Sequence, residues 1–183
     1  MDRGARYHSG SERQPSASES PNEQQNVVVY LEAEALSGMR SAHEGKVVMD
    51  QKNESFVPHV LAVQKGTAVD FVNHDKIFHN VFSLSAPKKF NIGRRPTGER
   101  VPVKFDKEGV VQVFCDIHSQ MTGYIIVLDN PFFARPGEDG SFRIDGVPPG
   151  TYTLNVWHVR FTAASQKITV PADGTVKANF VLE

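Results

Sequence analysis

One cysteine, Cys115, is all this chain has, so no disulfide can form within it. Nor is there an apolar run approaching the ~18 residues that a membrane helix needs. Charge of either sign is equally short of dominance: 20 Lys and Arg against 21 Asp and Glu leave a net charge of −1. That balance excludes the strong basic field expected of a nucleic-acid or anionic-lipid binder. A Walker A loop, a serine nucleophile elbow and a Cys-x-x-Cys-His haem motif are all missing. No apolar stretch follows Met1-Asp2-Arg3-Gly4-Ala5-Arg6, so no signal peptide is legible there.

The most informative stretch is Val110–Val127. Valine and isoleucine runs on either side of a short polar loop predict strand, loop, strand. The loop holds the lone thiol with an imidazole and a thioether, spaced Cys115-x-x-His118-x-x-Met121. These are soft donors, suited to copper rather than to magnesium or calcium. A mononuclear site with one thiolate, two imidazoles and a weak axial sulfur needs a second histidine from elsewhere. His79, in Asn73-His74-Asp75-Lys76-Ile77-Phe78-His79-Asn80-Val81-Phe82, is the best source, and His59 and His74 are the alternatives. Gln120 is the alternative to Met121 as axial donor. Asn80, beside His79, is placed to tie the two ligand loops together and to hydrogen-bond near the thiolate.

The 183 residues suffice for one or two domains. Residues 1–25 are rich in Ser, Glu, Gln, Pro and Arg, a composition that predicts a disordered tail with His8 solvated. Val27–Leu31 reads as a strand. The stretch after it reads as a loop over 36–45 or a short helix over 32–39, with His43 exposed. Further strands are expected near 46–51, 59–64, 67–72, 79–84, 101–105, 110–115 and 123–128, with turns at Asn53, Gly66, Asn73–Asp75, Gly98 and Gly109. Many short strands at regular spacing predict an all-β sandwich or barrel. Lys88-Lys89-Phe90-Asn91-Ile92-Gly93-Arg94-Arg95 is a basic run. It reads as a solvated face or, with Arg100 and Lys104, as a patch for an acidic partner. Asn53-Glu54-Ser55 matches a glycosylation sequon, which matters only in a eukaryotic secretory protein.

Phe56-x-Pro58, a Gly66-Thr67 turn, Phe71-Val72-Asn73, His79-Asn80-Val81 and Cys115-x-x-His118-x-x-Met121 follow one another in order. Over roughly 46–129 this pattern resembles the cupredoxins. The short ligand loop is most similar to that of amicyanin; plastocyanin has a longer gap before its Met. The resemblance implies one copper ion per chain held by His79, Cys115, His118 and Met121, with Asn80 and Phe114 packed behind the ligands and an apolar docking patch of Phe78 and Ile117 around His118. It implies an electron carrier rather than an enzyme, with a donor such as a quinoprotein dehydrogenase, an acceptor such as a c-type cytochrome, and a periplasmic or extracellular location. Copper storage, delivery or an envelope-structural role is the alternative. Where amicyanin-like loops carry proline near the loop histidine, this chain has Asp116-Ile117 and Ser119-Gln120, a departure that bears on the redox potential rather than on the ligand set.

Beyond Asn130-Pro131, Asp139-Gly140 precedes alternating Phe142 and Ile144, and Pro148-Pro149-Gly150 leads into a second alternating run ending at Trp157 and His158. Two more strands are expected near 166–170 and 174–182. This part resembles the carboxypeptidase-regulatory, transthyretin-like β-sandwiches, which implies a structural or adhesive module. Trp157 is expected in the core or over a sheet edge, with sugar stacking as the lesser alternative. The expected architecture is therefore a Greek-key cupredoxin sandwich plus a smaller transthyretin-like one. Four or five strands are few for a sandwich of typically ~7, so Val27–Leu31 is expected to pair with the C-terminal strands. That makes 26–45 and 130–183 one module and 46–129 a copper domain inserted within it. The tandem alternative gives Val27–Leu31 to the copper domain.

Overall fold

The computed structural model describes residues 23–40 and 45–182. The expected tail lies largely outside these residues, as do His8 and His43. Its last part departs from expectation: Glu23–Asn26 form a turn of 3-10 helix whose Glu23 meets His158 and Arg160. Another 3-10 turn, Glu34–Leu36, follows the first strand and buries Leu36.

The described residues hold thirteen strands. They are β1 (Val27–Glu32), β2 (Val47–Lys52), β3 (Ser55–Val57), β4 (Val60–Gln64), β5 (Ala68–Asn73), β6 (His79–Ser83), β7 (Phe90–Arg95), β8 (Arg100–Lys104), β9 (Gly109–Cys115), β10 (Thr122–Leu128), β11 (Phe133–Ala134), β12 (Gly150–His158) and β13 (Ala164–Val170). Three sheets result, ordered β3-β2-β5-β8, β4-β10-β9-β6-β7 and β11-β1-β12-β13. The first two face each other over a core of Met49, Phe56, Phe71, Val81, Phe105, Val111, Val113 and Ile125. The alternation in β9 explains the layering: Val111, Val113 and Cys115 are buried, whereas Val110, Gln112 and Phe114 lie on the other face.

β1 runs antiparallel to β12 from Val27↔His158 to Glu32↔Thr153, and its other edge pairs with β11 at Val29↔Ala134 and Tyr30↔Phe133. The apolar run Val27–Leu31 follows from its place. Val27, Val29 and Leu31 join a core with Phe132, Tyr152, Leu154 and Val156. Val28 and Tyr30 face the opposite way, onto Val60, Ala62, Tyr124, Ile126 and Leu128 of β4 and β10. Trp157 belongs to this second cluster, its ring 5.5 Å from that of Tyr124, so the residue considered for sugar stacking is part of the seam between the sheets.

Beside the seam, Asp129 joins the segment that follows β1 to the end of β10. Its carboxylate accepts from the Ser37 hydroxyl at 2.6 Å and the Gly38 N–H at 3.1 Å, and pairs with Lys65. Asn130 continues the link, donating from Nδ2 to the Leu31 carbonyl at 2.9 Å.

Two strand expectations fail. Residues 141–145 and 174–182 form no ladder, although Phe142, Ile144, Ala178, Phe180 and Leu182 pack against the β1–β12 core. Alternating apolar residues report a buried face, and here the covering segments bury that face without joining a ladder. Conversely, the basic run contains β7, an edge strand. There Arg95 donates to the Ile92 carbonyl and meets Glu99, while Arg100 and Lys104 on β8 pair with Asp70 and the nearby Asp106. No helix among the described residues is long and apolar enough to cross a membrane.

Candidate metal centre

The site sits at one end of the two facing sheets, where β6 begins and β9 ends. Asn73, fully buried at the end of β5, shapes the approach to β6. Its Oδ1 accepts the Asp75 N–H at 2.9 Å, and its Nδ2 donates to the carbonyls of Ile77 and Arg95 at 2.8 and 2.9 Å. This Asx-type turn delivers His79 to the first position of β6 with its ring buried. Across the sheet, β9 ends at Cys115. The loop beyond it closes on itself: Cys115 N–H donates to the Met121 carbonyl at 3.1 Å, and Met121 N–H to the His118 carbonyl at 2.9 Å. Asn80 Nδ2 donates to Asp116 Oδ2 at 3.1 Å and so joins the two loops, as its position beside His79 suggests.

Three donor atoms converge. Cys115 Sγ lies 3.7 Å from His79 Nδ1 and 3.8 Å from His118 Nδ1, and the two Nδ1 atoms are 3.2 Å apart. It is the one such group of three among the described residues. Met121, 1% exposed, shares the core cluster with Cys115. Gln120 is exposed and its amide donates outward to Glu54 Oε2 at 3.1 Å. Phe114, next to Cys115, stacks on Phe82 with ring centroids 5.6 Å apart. Phe78 and Ile117 are exposed, at 56% and 38%, and the His118 side chain reaches the surface with 18% exposure.

Each imidazole shows its other nitrogen to a carboxylate. His79 Nε2 meets Asp75 Oδ2 at 2.8 Å, and His118 Nε2 lies 3.8 Å from Glu54 Oε2. Desolvation by burial raises the Asp75 pKa. The Glu54 N–H, the His79 ring and the Asn53 N–H outweigh it and hold the carboxyl below its ordinary range. A carboxylate can only accept, so the His79 Nε2 carries the hydrogen and its Nδ1 lone pair faces the thiol. A thiol and two imidazole nitrogens converging on one point, in a pocket closed by core residues, fit a soft or borderline metal ion such as copper.

The other described histidines are employed elsewhere. His74 pairs with Asp50 at 3.4 Å. His59 packs edge-on against Tyr124, and burial pushes its pKa down against an opposing hydrogen bond to the Thr122 backbone. His158 is buried, with a pKa also lowered by burial, and accepts the N–H groups of Arg160 and Phe161 at 3.1 and 3.2 Å. Asn73, Asp75 and Glu54 escape sequence reasoning as parts of the site. The Asn73-x-Asp75 spacing carries an Asx-turn signal, but nothing in the sequence brings Glu54 to His118.

Residues 43–128 match the family of copper binding proteins, plastocyanin/azurin family, and residues 126–183 match the carboxypeptidase regulatory-like domain. No curated protein matches the chain. Among solved structures, the chain is similar to the copper-containing nitrite reductase (NirK) from Thermus scotoductus SA-01, at 28% identity and a TM-score of 0.46, over 51% of this chain and 25% of that one. The chain thus spans a quarter of that enzyme's length. It is also similar to a purple cupredoxin from Nitrosopumilus maritimus, at 26% identity and a TM-score of 0.41, over 46% of this chain and 100% of that one. A third likeness is to the reduced state of an amicyanin point mutant, at 18% identity and a TM-score of 0.43, over 55% of this chain and 98% of that one.

Proposed function

We propose, from the premise that residues 43–128 of this chain belong to the plastocyanin/azurin family of copper binding proteins and residues 126–183 to the carboxypeptidase regulatory-like domains, that the protein is a type 1 copper electron carrier working outside the cytoplasm. The observation that carries the reading is the convergence of Cys115 Sγ with the Nδ1 atoms of His79 and His118. When bound, copper supplies the one-electron couple. His79, Cys115 and His118 would hold it, with Met121 as the weak fourth donor.

The rest of the work falls to the chain. The Asn73 turn and the Asn80–Asp116 bridge fix the two ligand loops against each other, which limits rearrangement between oxidation states. The buried Met121 and the core around Cys115 keep water from the thiolate side. His118 alone among the donors reaches the surface. With exposed Phe78 and Ile117 around it, its edge is the natural exit toward a partner. Partners of the class of a quinoprotein dehydrogenase donor and a c-type cytochrome acceptor suit this reading. A nested organisation goes with it, in which the copper domain is inserted into the second sandwich; the pairing of β1 with β11 and β12 supports this.

Loading with Cu(II) under non-reducing conditions should give an intense blue thiolate charge-transfer band. Mixing the reduced protein with an oxidised c-type cytochrome in a stopped-flow instrument should then restore that band rapidly. A colourless loaded protein sinks the type 1 assignment. Slow electron exchange together with ready copper transfer to an apo-acceptor favours storage or delivery instead.

A further inference from the structure

We propose that the β2–β3 turn, Asn53–Glu54, is a positioning element for the metal centre, and that Glu54 sets the orientation and tautomer of His118. The proposal rests on the copper reading above. Its starting point is a local anomaly. Lys52 and Ser55 are paired across a two-residue hairpin loop, and both loop residues have positive φ, 54° at Asn53 and 53° at Glu54. Such a loop asks for Asn or Gly first and Gly second. Asn53 meets that demand. Glu54 does not, and a non-glycine side chain in the left-handed region is strained by its Cβ. An unfavourable residue held in a strained position points to a use for its side chain.

The surroundings show what the turn does. The N–H groups of Asn53 and Glu54 both donate to the Asp75 carboxylate, at 2.6 and 2.9 Å, and the same carboxylate meets His79 Nε2 at 2.8 Å. The Glu54 side chain reaches the other ligand loop. Its Oε2 accepts from Gln120 Nε2 at 3.1 Å and lies 3.8 Å from His118 Nε2. One dipeptide therefore governs the outer edges of both imidazoles, through its backbone for His79 and through its side chain for His118.

The Glu54 carboxylate, 3.8 Å from Nε2, biases His118 toward hydrogen on Nε2 and an Nδ1 lone pair toward Cys115, against the His79 Nδ1 3.2 Å away, which alone would favour hydrogen on His118 Nδ1. At His79 the contact is short and buried, so the ring is locked. At His118 it is longer and at the rim, with Glu54 47% exposed, so the ring is steered. Glycine at 54 would relieve the backbone yet abandon this contact. The Gln120–Glu54 hydrogen bond adds a second hold on the same loop, next to the Met121 end of its Cys-to-Met span.

The test uses the metal-free full chain with 15N-labelled histidine, at a pH of about 8, above the ordinary imidazole range. Long-range 1H–15N spectra should show both His79 and His118 with hydrogen on Nε2. Glu54→Gly suits the positive φ, so it removes the carboxylate without straining the turn that anchors Asp75. It should leave His79 unchanged, turn His118 into a mixture of tautomers, and speed Cu(I) transfer to a competing chelator about five-fold; partners behind metal ligands usually matter by about 10–100-fold, and this one is partly exposed. Glu54→Gln, which keeps an acceptor, should fall between the two. An unchanged His118 tautomer in Glu54→Gly, or hydrogen on Nδ1 in the parent protein, overturns the proposal. A blue copper protein with that result keeps the copper reading and loses the positioning role. A protein that binds no copper but still shows the tautomer change keeps the positioning role and loses the copper reading.

Discussion

Replacing Asp129 with asparagine removes one charge from its contact with Lys65, Ser37 and Gly38 while keeping side-chain shape and a hydrogen-bond acceptor for Ser37. In the folded protein the Asp129 carboxyl is pulled from its ordinary 3.8 to about 2, by the Lys65 ammonium first, then by the Ser37 hydroxyl, with burial opposing and the Gly38 N–H assisting. A depressed carboxyl pKa contributes stability that is fully present above the unfolded value and is lost as pH falls through the folded one. Here that window runs from near 3.8 down to about 2. A shift of this size corresponds to about 2.4 kcal/mol at neutral pH if nothing screens it. Lys65 and Asp129 retain 33% and 18% side-chain exposure, so solvent reduces the contribution to about 1–1.5 kcal/mol. For a chain of this length that lowers Tm by roughly 3–5 °C. Thermal unfolding of the metal-free Asp129→Asn variant should show this loss at pH 7, a shrinking gap from pH 4 downward, and little gap left at pH 2. Copper is left out because its binding would add its own pH dependence. A difference that persists undiminished at pH 2, or is absent at pH 7, refutes the electrostatic account. A cycle with Lys65→Met isolates the pair.

Three further outcomes are expected. Cys115→Ser should abolish the thiolate charge-transfer band while leaving the far-ultraviolet spectrum of the metal-free protein intact, whereas Met121→Gln should keep the band and move the potential, read by optical redox titration. Trp157→Ala should destabilise the chain by about 3 kcal/mol through loss of its contact with Tyr124 and the seam cluster, measured by urea unfolding, with early proteolytic cutting near residue 130 as a second sign. Gly109→Ala should cost about 1–3 kcal/mol, since its φ is +128° and an added Cβ would come within 2.7 Å of Pro87 Cγ; a neutral effect would mean that Pro87 yields freely.

What could be read from the sequence follows the range of the forces involved. Seven strands of the copper segment are legible to within a residue or so, whereas the three-residue β3, which directly follows the Asn53–Glu54 turn, is too short to leave a pattern. β7 is not legible either, because an edge strand buries one face only and its Arg94 and Arg95 read as a solvated run. At 141–145 and 174–182 the opposite happens: the periodicity correctly marks side chains that face a core but says nothing about whether the backbone finds a ladder partner. Within the site, Cys115 and His118 are legible because one loop carries both, and His79 and Asn80 because their motif sits in a recognisable order. Asp75 and Glu54 act on those residues across the fold, from a turn and a hairpin whose proximity only the packed sheets create.

The place of Trp157 gives this protein a built-in optical gauge. It is the chain's one tryptophan, and it lies against Tyr124 where the third sheet meets the five-stranded sheet. Intrinsic emission excited at the indole band therefore reports on a single location, with no label and no second fluorophore of its kind to confuse the signal. Wetting of the seam shifts that emission to the red. If the shift comes at a lower denaturant concentration than the loss of β-sheet circular dichroism, the two halves part before either melts; if the two coincide, the chain unfolds as one cooperative unit across its seam.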